Sequence, residues 1–62
     1  MITFNGKKVD IKTKKGRIKD ILKELDVVEE EVVILKNDKV VFGREKFNER
    51  DKIVILSVGS RG

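Results

Sequence analysis

Apolar and polar positions alternate at the start of the chain, then change period, then alternate again. In ITFNGKKVDIK, Ile2 and Phe4 are flanked by polar residues, and Val9 and Ile11 repeat the pattern after Asn5-Gly6. Alternation at period two marks strands with one covered face, and Asn-Gly is a strong two-residue hairpin turn. The stretch predicts a β-hairpin with Lys8, Asp10 and Lys12 on its wet side. In GRIKDILKELD the apolar residues Ile18, Ile21, Leu22 and Leu25 fall at i, i+3, i+4 and i+7. That spacing draws one apolar stripe along an amphipathic helix. Asp20 and Glu24, one turn apart on it, are expected to be surface charges paired locally with Lys19 or Lys23.

Beyond the helix, EVVILKNDKVVF predicts a strand, a turn at Asn37-Asp38 and a short second strand. FGREKFNERDK is a polar connection in which Phe42 and Phe47 are the expected anchors. KIVILSV is apolar at both parities, the pattern of a strand covered on both faces and therefore central. The predicted order is β-β-α-β-β-β. A right-handed crossover through the helix and a central last strand beside the first give a mixed sheet of four to five strands on one helix. This is an α+β chain of β-grasp (ubiquitin-like) architecture. It is read as a single domain over 1–62, with 58–62 as a flexible C-terminal tail.

The two faces of that sheet differ in what can cover them. If Ile53 and Ile55 face the helix, Val54 and Leu56 face the other way. Lys36 is expected to point outward, and Val32 and Ile34 share its parity. Val32, Ile34, Val54 and Leu56 are thus the expected exposed apolar patch, a candidate partner surface.

Composition narrows the chemistry. The chain has no cysteine and no histidine. It therefore has no disulfide, thiolate metal site, thiol nucleophile or imidazole base, and a hydrolytic triad or zinc site is excluded. With 62 residues and no evident pocket, the chain is not expected to be an enzyme. No apolar run approaches a membrane span, and MITFNGKK lacks the apolar stretch of a signal peptide, so a cytoplasmic protein with no membrane partner is expected. Charged residues make up 42% of the chain, an ion-pair-rich balance suggestive of a thermophile.

The net charge of +4 is unevenly placed. Residues 1–23 carry eight basic side chains against two acidic ones, and residues 24–62 carry seven against nine. The basic set Lys7, Lys8, Lys12, Lys14, Lys15 and Arg17 is a candidate surface for phosphates or an acidic partner.

Taken in order, these segments resemble the ThiS/MoaD family of ubiquitin-like sulfur carriers over essentially the whole chain. IKDILKEL is similar to that family's xxDLLxxL helix, with Asp20, Ile21, Leu22 and Leu25 in matching places. VVILKNDKVV resembles its strand-Asn-Gly-strand hairpin, with Asp38 where glycine is usual. ERDKIVILSVGSRG resembles its closing aspartate, alternating strand and glycine-rich tail. The departures are Asp26 and Arg50 at positions commonly glycine, and Arg61-Gly62 where the family ends Gly-Gly. The absence of a Pro-Pro pair before the tail places the chain nearer the ThiS type.

The resemblance implies a carrier whose C-terminal carboxylate, here on Gly62, is adenylated by a ubiquitin-activating-like partner enzyme that uses ATP. The carboxylate then becomes a thiocarboxylate. No cofactor is bound by the carrier itself. Gly59, Ser60 and Arg61 would be recognised as the tail. The sulfur acceptor would be thiazole synthase (thiamine biosynthesis), the molybdopterin synthase large subunit or a tRNA thiolation enzyme; some archaeal relatives are instead joined to protein lysines. The alternative reading is a small basic β-grasp module that binds RNA or a protein, with no chemistry at its tail.

Overall fold

The computed structural model of the protein describes residues 1–58. Five strands form a mixed sheet: β1 (Ile2–Phe4), β2 (Lys7–Lys8), β4 (Val32–Lys36), β5 (Lys39–Val41) and β7 (Ile53–Ser57), in the spatial order β2-β1-β7-β4-β5. Strand β7 is parallel to β1 and antiparallel to β4. The strand apolar at both parities is thus the central one. One helix, α1 (Ile18–Leu25), packs on the sheet. Two short strands, β3 (Gly16–Arg17) and β6 (Lys46–Phe47), pair antiparallel as a second small sheet that the alternation pattern does not announce. A 3-10 turn, Glu29–Glu31, leads into β4.

Local chemistry sets these elements. Both turn residues of the first hairpin have positive φ, Asn5 at 52° and Gly6 at 86°, as a type I′ turn requires. The second hairpin repeats this with Asn37 at 52° and Asp38 at 72°. The second strand of the first hairpin stops at Lys8, because the chain at Lys12 and Thr13 is drawn off to Glu24 of α1.

The helix starts without a side-chain oxygen from Arg17; the Asp20 carboxylate reaches back to the Arg17 amide at 3.0 Å. The amides of Ile18 and Lys19 donate to the carbonyls of Glu45 and Gly43, satisfying N-terminal donors that a helix cannot satisfy itself. Gly16, at φ +138°, allows this approach, since a Cβ there would lie 2.9 Å from the Asp20 carboxylate. At the other end Asp26 takes the left-handed conformation (φ 62°, ψ 45°). Asp26 N–H donates to Lys23 O and Val27 N–H to Leu22 O, a Schellman ending.

Between α1 and the sheet lie Ile11, Ile18, Ile21, Leu22, Ile34, Phe47, Ile53 and Ile55, all buried. The predicted helix stripe is thus the helix's share of the core, with Leu25 half-buried beside it.

Three expectations are corrected. Phe42 is not an anchor: it is 65% exposed, while Phe47 is buried. Asp20 and Glu24 are not paired with Lys19 or Lys23; their oxygens are taken by backbone amides and the Thr13 hydroxyl, which lie closer.

The sheet face of β4 is also reversed. Ile34 sits directly opposite Ile55 and Lys36 opposite Ile53, so Lys36, Ile34 and Val32 lie on the helix side. A charge is tolerated there because Lys36 Nζ is held by Glu45 Oε2 at 2.7 Å and by the Lys46 carbonyl at 2.9 Å. Taking Lys36 as an outward marker shifts the reading of β4 by one residue, which exchanges its two faces.

Candidate functional site

Strand β7 carries the chain from the middle of the sheet toward its end, and that end is held from both sides. Asn5 N–H donates to Ile55 O, and Ser57 N–H donates to the Asn5 side-chain oxygen, each at 2.8 Å. On the other side Val58 N–H donates to Glu31 O at 2.9 Å. Val58, expected as the first residue of a free tail, is therefore tied to the end of the 3-10 turn that leads into β4. The remaining tail positions, Gly59, Ser60, Arg61 and Gly62, lie outside the described residues.

The open face of the sheet is apolar on β7, β4 and β5 and polar on β1 and β2, where Thr3 and Lys8 share the face of Val54. The register puts Val54 opposite Leu35 and Leu56 opposite Val33, with Val40 of β5 opposite Leu35. Of the four residues expected in the patch, Val54 and Leu56 are on this face. Val32 and Ile34 are not; Ile34 is 2% exposed in the core. Val33, Leu35 and Val40 take their places. Leu56 and Val40 are 39% and 60% exposed. Leucine and valine in pairs along two neighbouring strands carry this signal in the sequence, and only the cross-strand register turns it into a face.

The polar side of the molecule is organised around two carboxylates. Glu24 accepts from the amides of Lys12 and Thr13 and from the Thr13 hydroxyl, at 2.6, 3.2 and 3.0 Å. These bonds, the Lys12 amide foremost, hold its carboxyl below the usual value. Asp51 accepts from the Asn37 side-chain amide and the Asn48 amide, both at 2.9 Å, and is lowered for the same reason. Asn37 in turn accepts from Lys52 N–H. The β4–β5 turn and the start of β7 are locked together by this set. The pairing with Glu45 raises Lys36 above the usual lysine value. These carboxylates act as clasps for the backbone, not as an acid–base pair.

The basic set divides in space. Lys7 and Lys8 are on the edge strand β2. Lys12 is fixed at its backbone by Glu24, with an exposed side chain. Lys15 and Arg17 line a hollow together with Lys36, Lys46, Phe47, Asn48 and Asp51. Lys14 and Lys15 line an adjoining one with Asn48, Glu49 and Arg50. Lys36, Lys46 and Arg50 come from the other half of the chain, and their convergence on the first half is not visible in linear charge.

Among the described residues no group of three or more acidic side chains is placed to hold a metal ion. No helix there is long and apolar enough to cross a membrane. Comparisons of the chain with protein-family models, with curated proteins and with solved structures find no match.

Proposed function

We propose that this protein is a β-grasp sulfur carrier of the ThiS/MoaD kind, not itself an enzyme, with the Gly62 carboxylate as its working group. The observation that carries the reading is the setting of β7. It is the central strand, parallel to β1, and it ends at Ser57 and Val58 with its backbone tied to Asn5 and Glu31. A fixed departure point gives the residues that follow a defined origin for threading into another protein's active site. Beside it, Val33, Leu35, Val54 and Leu56 offer an apolar face on which an adenylating enzyme docks.

The chemistry needs nothing that this chain lacks. A Gly62 carboxylate oxygen attacks the α-phosphorus of ATP in the partner's site and pyrophosphate leaves. A sulfur nucleophile then attacks the activated carbonyl, AMP leaves, and a C–S bond replaces a C–O bond. Activation gives a poor electrophile a good leaving group and splits a hard substitution into two easier ones. The carrier supplies the carboxylate and the docking face; ATP and the sulfur donor belong to partners. Arg61 beside the reacting glycine requires a partner channel that accepts a cation, one wider or more acidic than a channel built around Gly-Gly. The acceptor is of the thiazole, molybdopterin or tRNA-thiolation class.

The test is intact mass after incubation with ATP, a sulfide source and an adenylating enzyme from the same organism. The full chain gains the mass of an oxygen-to-sulfur exchange, and a chain lacking Gly62 does not. If neither changes while a Gly-Gly-ending carrier in the same mixture does, the reading fails.

A further inference from the structure

Strand β3 pairs with β6 so that Arg17 stands directly opposite Lys46. Residues opposite each other in an antiparallel pair share a face, and like charges there are destabilising. No carboxylate relieves this one: neither Arg17, Lys46, Lys14, Lys15 nor Arg50 has an ion-pair partner among the described residues, where the pairs are Lys36–Glu45 and Lys52–Asp38. The carboxylates that border the band are engaged elsewhere, Asp51 with Asn37 and Asn48, and Glu45 with Lys36. Glu49 is the exception, at the rim beside Arg50.

The two hollows share Lys15 and Asn48, so their cations form one band: Arg17 and Lys46 at one end, Lys15 in the middle, Lys14 and Arg50 at the other. One guanidinium N–H of Arg17 donates to the Arg44 carbonyl at 3.3 Å, which orients the group and leaves its other donors free. The amides of the helix N-terminus are not part of this site, since Glu45 O, Gly43 O and Asp20 already occupy them.

We infer that this band binds successive phosphates of a single-stranded nucleic acid, independently of any chemistry at Gly62. A single compact anion is neutralised at one hollow, whereas cations spread over two adjoining hollows match a repeating charge. The band has no exposed aromatic side chain, Phe47 being buried, so bases are not stacked on it and binding is indifferent to sequence.

The test is fluorescence anisotropy with a labelled oligouridine of about twelve nucleotides, read as a function of salt. The wild type binds, and its affinity falls linearly with salt on a log–log scale. Arg17→Gln with Lys46→Gln weakens binding about tenfold and flattens the salt slope by about 1.4, two phosphate contacts being lost. Lys7→Gln with Lys8→Gln, away from the band, leaves the affinity within about twofold.

K46E guards against a folding artefact. It replaces a like-charge cross-strand pair with an opposite-charge one, so it raises the Tm while it weakens binding. Four results overturn the inference: no binding at about 50 mM salt; equal loss from the β2 lysine variants; K46E binding as well as wild type; or tripolyphosphate or polyglutamate competing as well as unlabelled oligouridine at equal charge.

Discussion

The side-chain oxygen of Asn5 accepts the amide proton of Ser57 at 2.8 Å, joining the first turn of the chain to the last residue of its central strand across 52 positions. One asparagine therefore does two things. It takes the positive φ of a type I′ turn, and it closes the end of β7 from which the tail departs. Asn5→Gly keeps the turn and removes the bond, which costs about 1 kcal/mol. Urea unfolding reads the loss, and amide exchange accelerates at Ser57 more than at Ile55. Equal exchange at both positions shows that the bond does not hold the strand end.

The corrected sheet faces predict opposite outcomes for neighbouring residues. Ile34→Ala opens a cavity under the helix and costs about 3 kcal/mol, comparable with the whole stability of a domain this small. Leu56→Ser, on the open face, costs less than about 1 kcal/mol and, under the proposed carrier role, weakens binding to an adenylating partner. Circular dichroism melts and a pull-down with that enzyme separate the two effects. An Ile34→Ala variant as stable as the wild type returns Ile34 to the open face and overturns the corrected assignment.

Asp38 stands at φ 72° in a turn that favours glycine at this position, and its contact with Lys52 is long, at 4.0 Å, and exposed. Asp38→Gly stabilises the protein by about 0.5–1 kcal/mol, raising the Tm by roughly 2–8 °C for a chain of this size. A lowered Tm assigns a larger role to the Lys52 contact than its geometry carries.

The pH dependence follows from three groups. Glu24 and Asp51 have folded-state values depressed below their ordinary 4.5 and 3.8. Their contributions are fully present above those values and are lost as pH falls through the lower folded ones. Lys36 is raised above 10.5, so its contribution is present below 10.5 and lost as pH climbs through the higher folded value. Between these limits the contributions of these three groups do not change with pH. Glu24→Gln with Asp51→Asn removes much of the acid limb and leaves the alkaline one; an unchanged acid limb disproves the clasp roles.

Several parts of the fold are legible in single segments. The i, i+3, i+4, i+7 spacing of Ile18, Ile21, Leu22 and Leu25 sets both the helix and its buried side. Asn5-Gly6 and Asn37-Asp38 announce their turns, and the double-parity apolar run at 53–56 announces a central strand. Less legible is where a polar side chain ends up. Glu24 reads as a helix-surface charge until Lys12 and Thr13 are brought to it, and Lys36 reads as outward until Glu45 covers it.

The sequence by itself determined the helix and the five strands of the main sheet, the hairpin turn at Asn5-Gly6, the lack of thiol and imidazole chemistry, and the excess of positive charge in the first third. Each is a property of one residue or of a short periodic window, where backbone sterics and side-chain inventory decide. Only the tertiary structure decided which of Ile34 and Leu35 is buried, that Arg17 faces Lys46, and that Lys14, Lys15 and Arg50 meet along one band. Those outcomes depend on strand register and on which distant segment covers a given face. Register is set by the summed burial of several residues at once, so a single charged side chain with a partner, as Lys36 has in Glu45, goes with the majority.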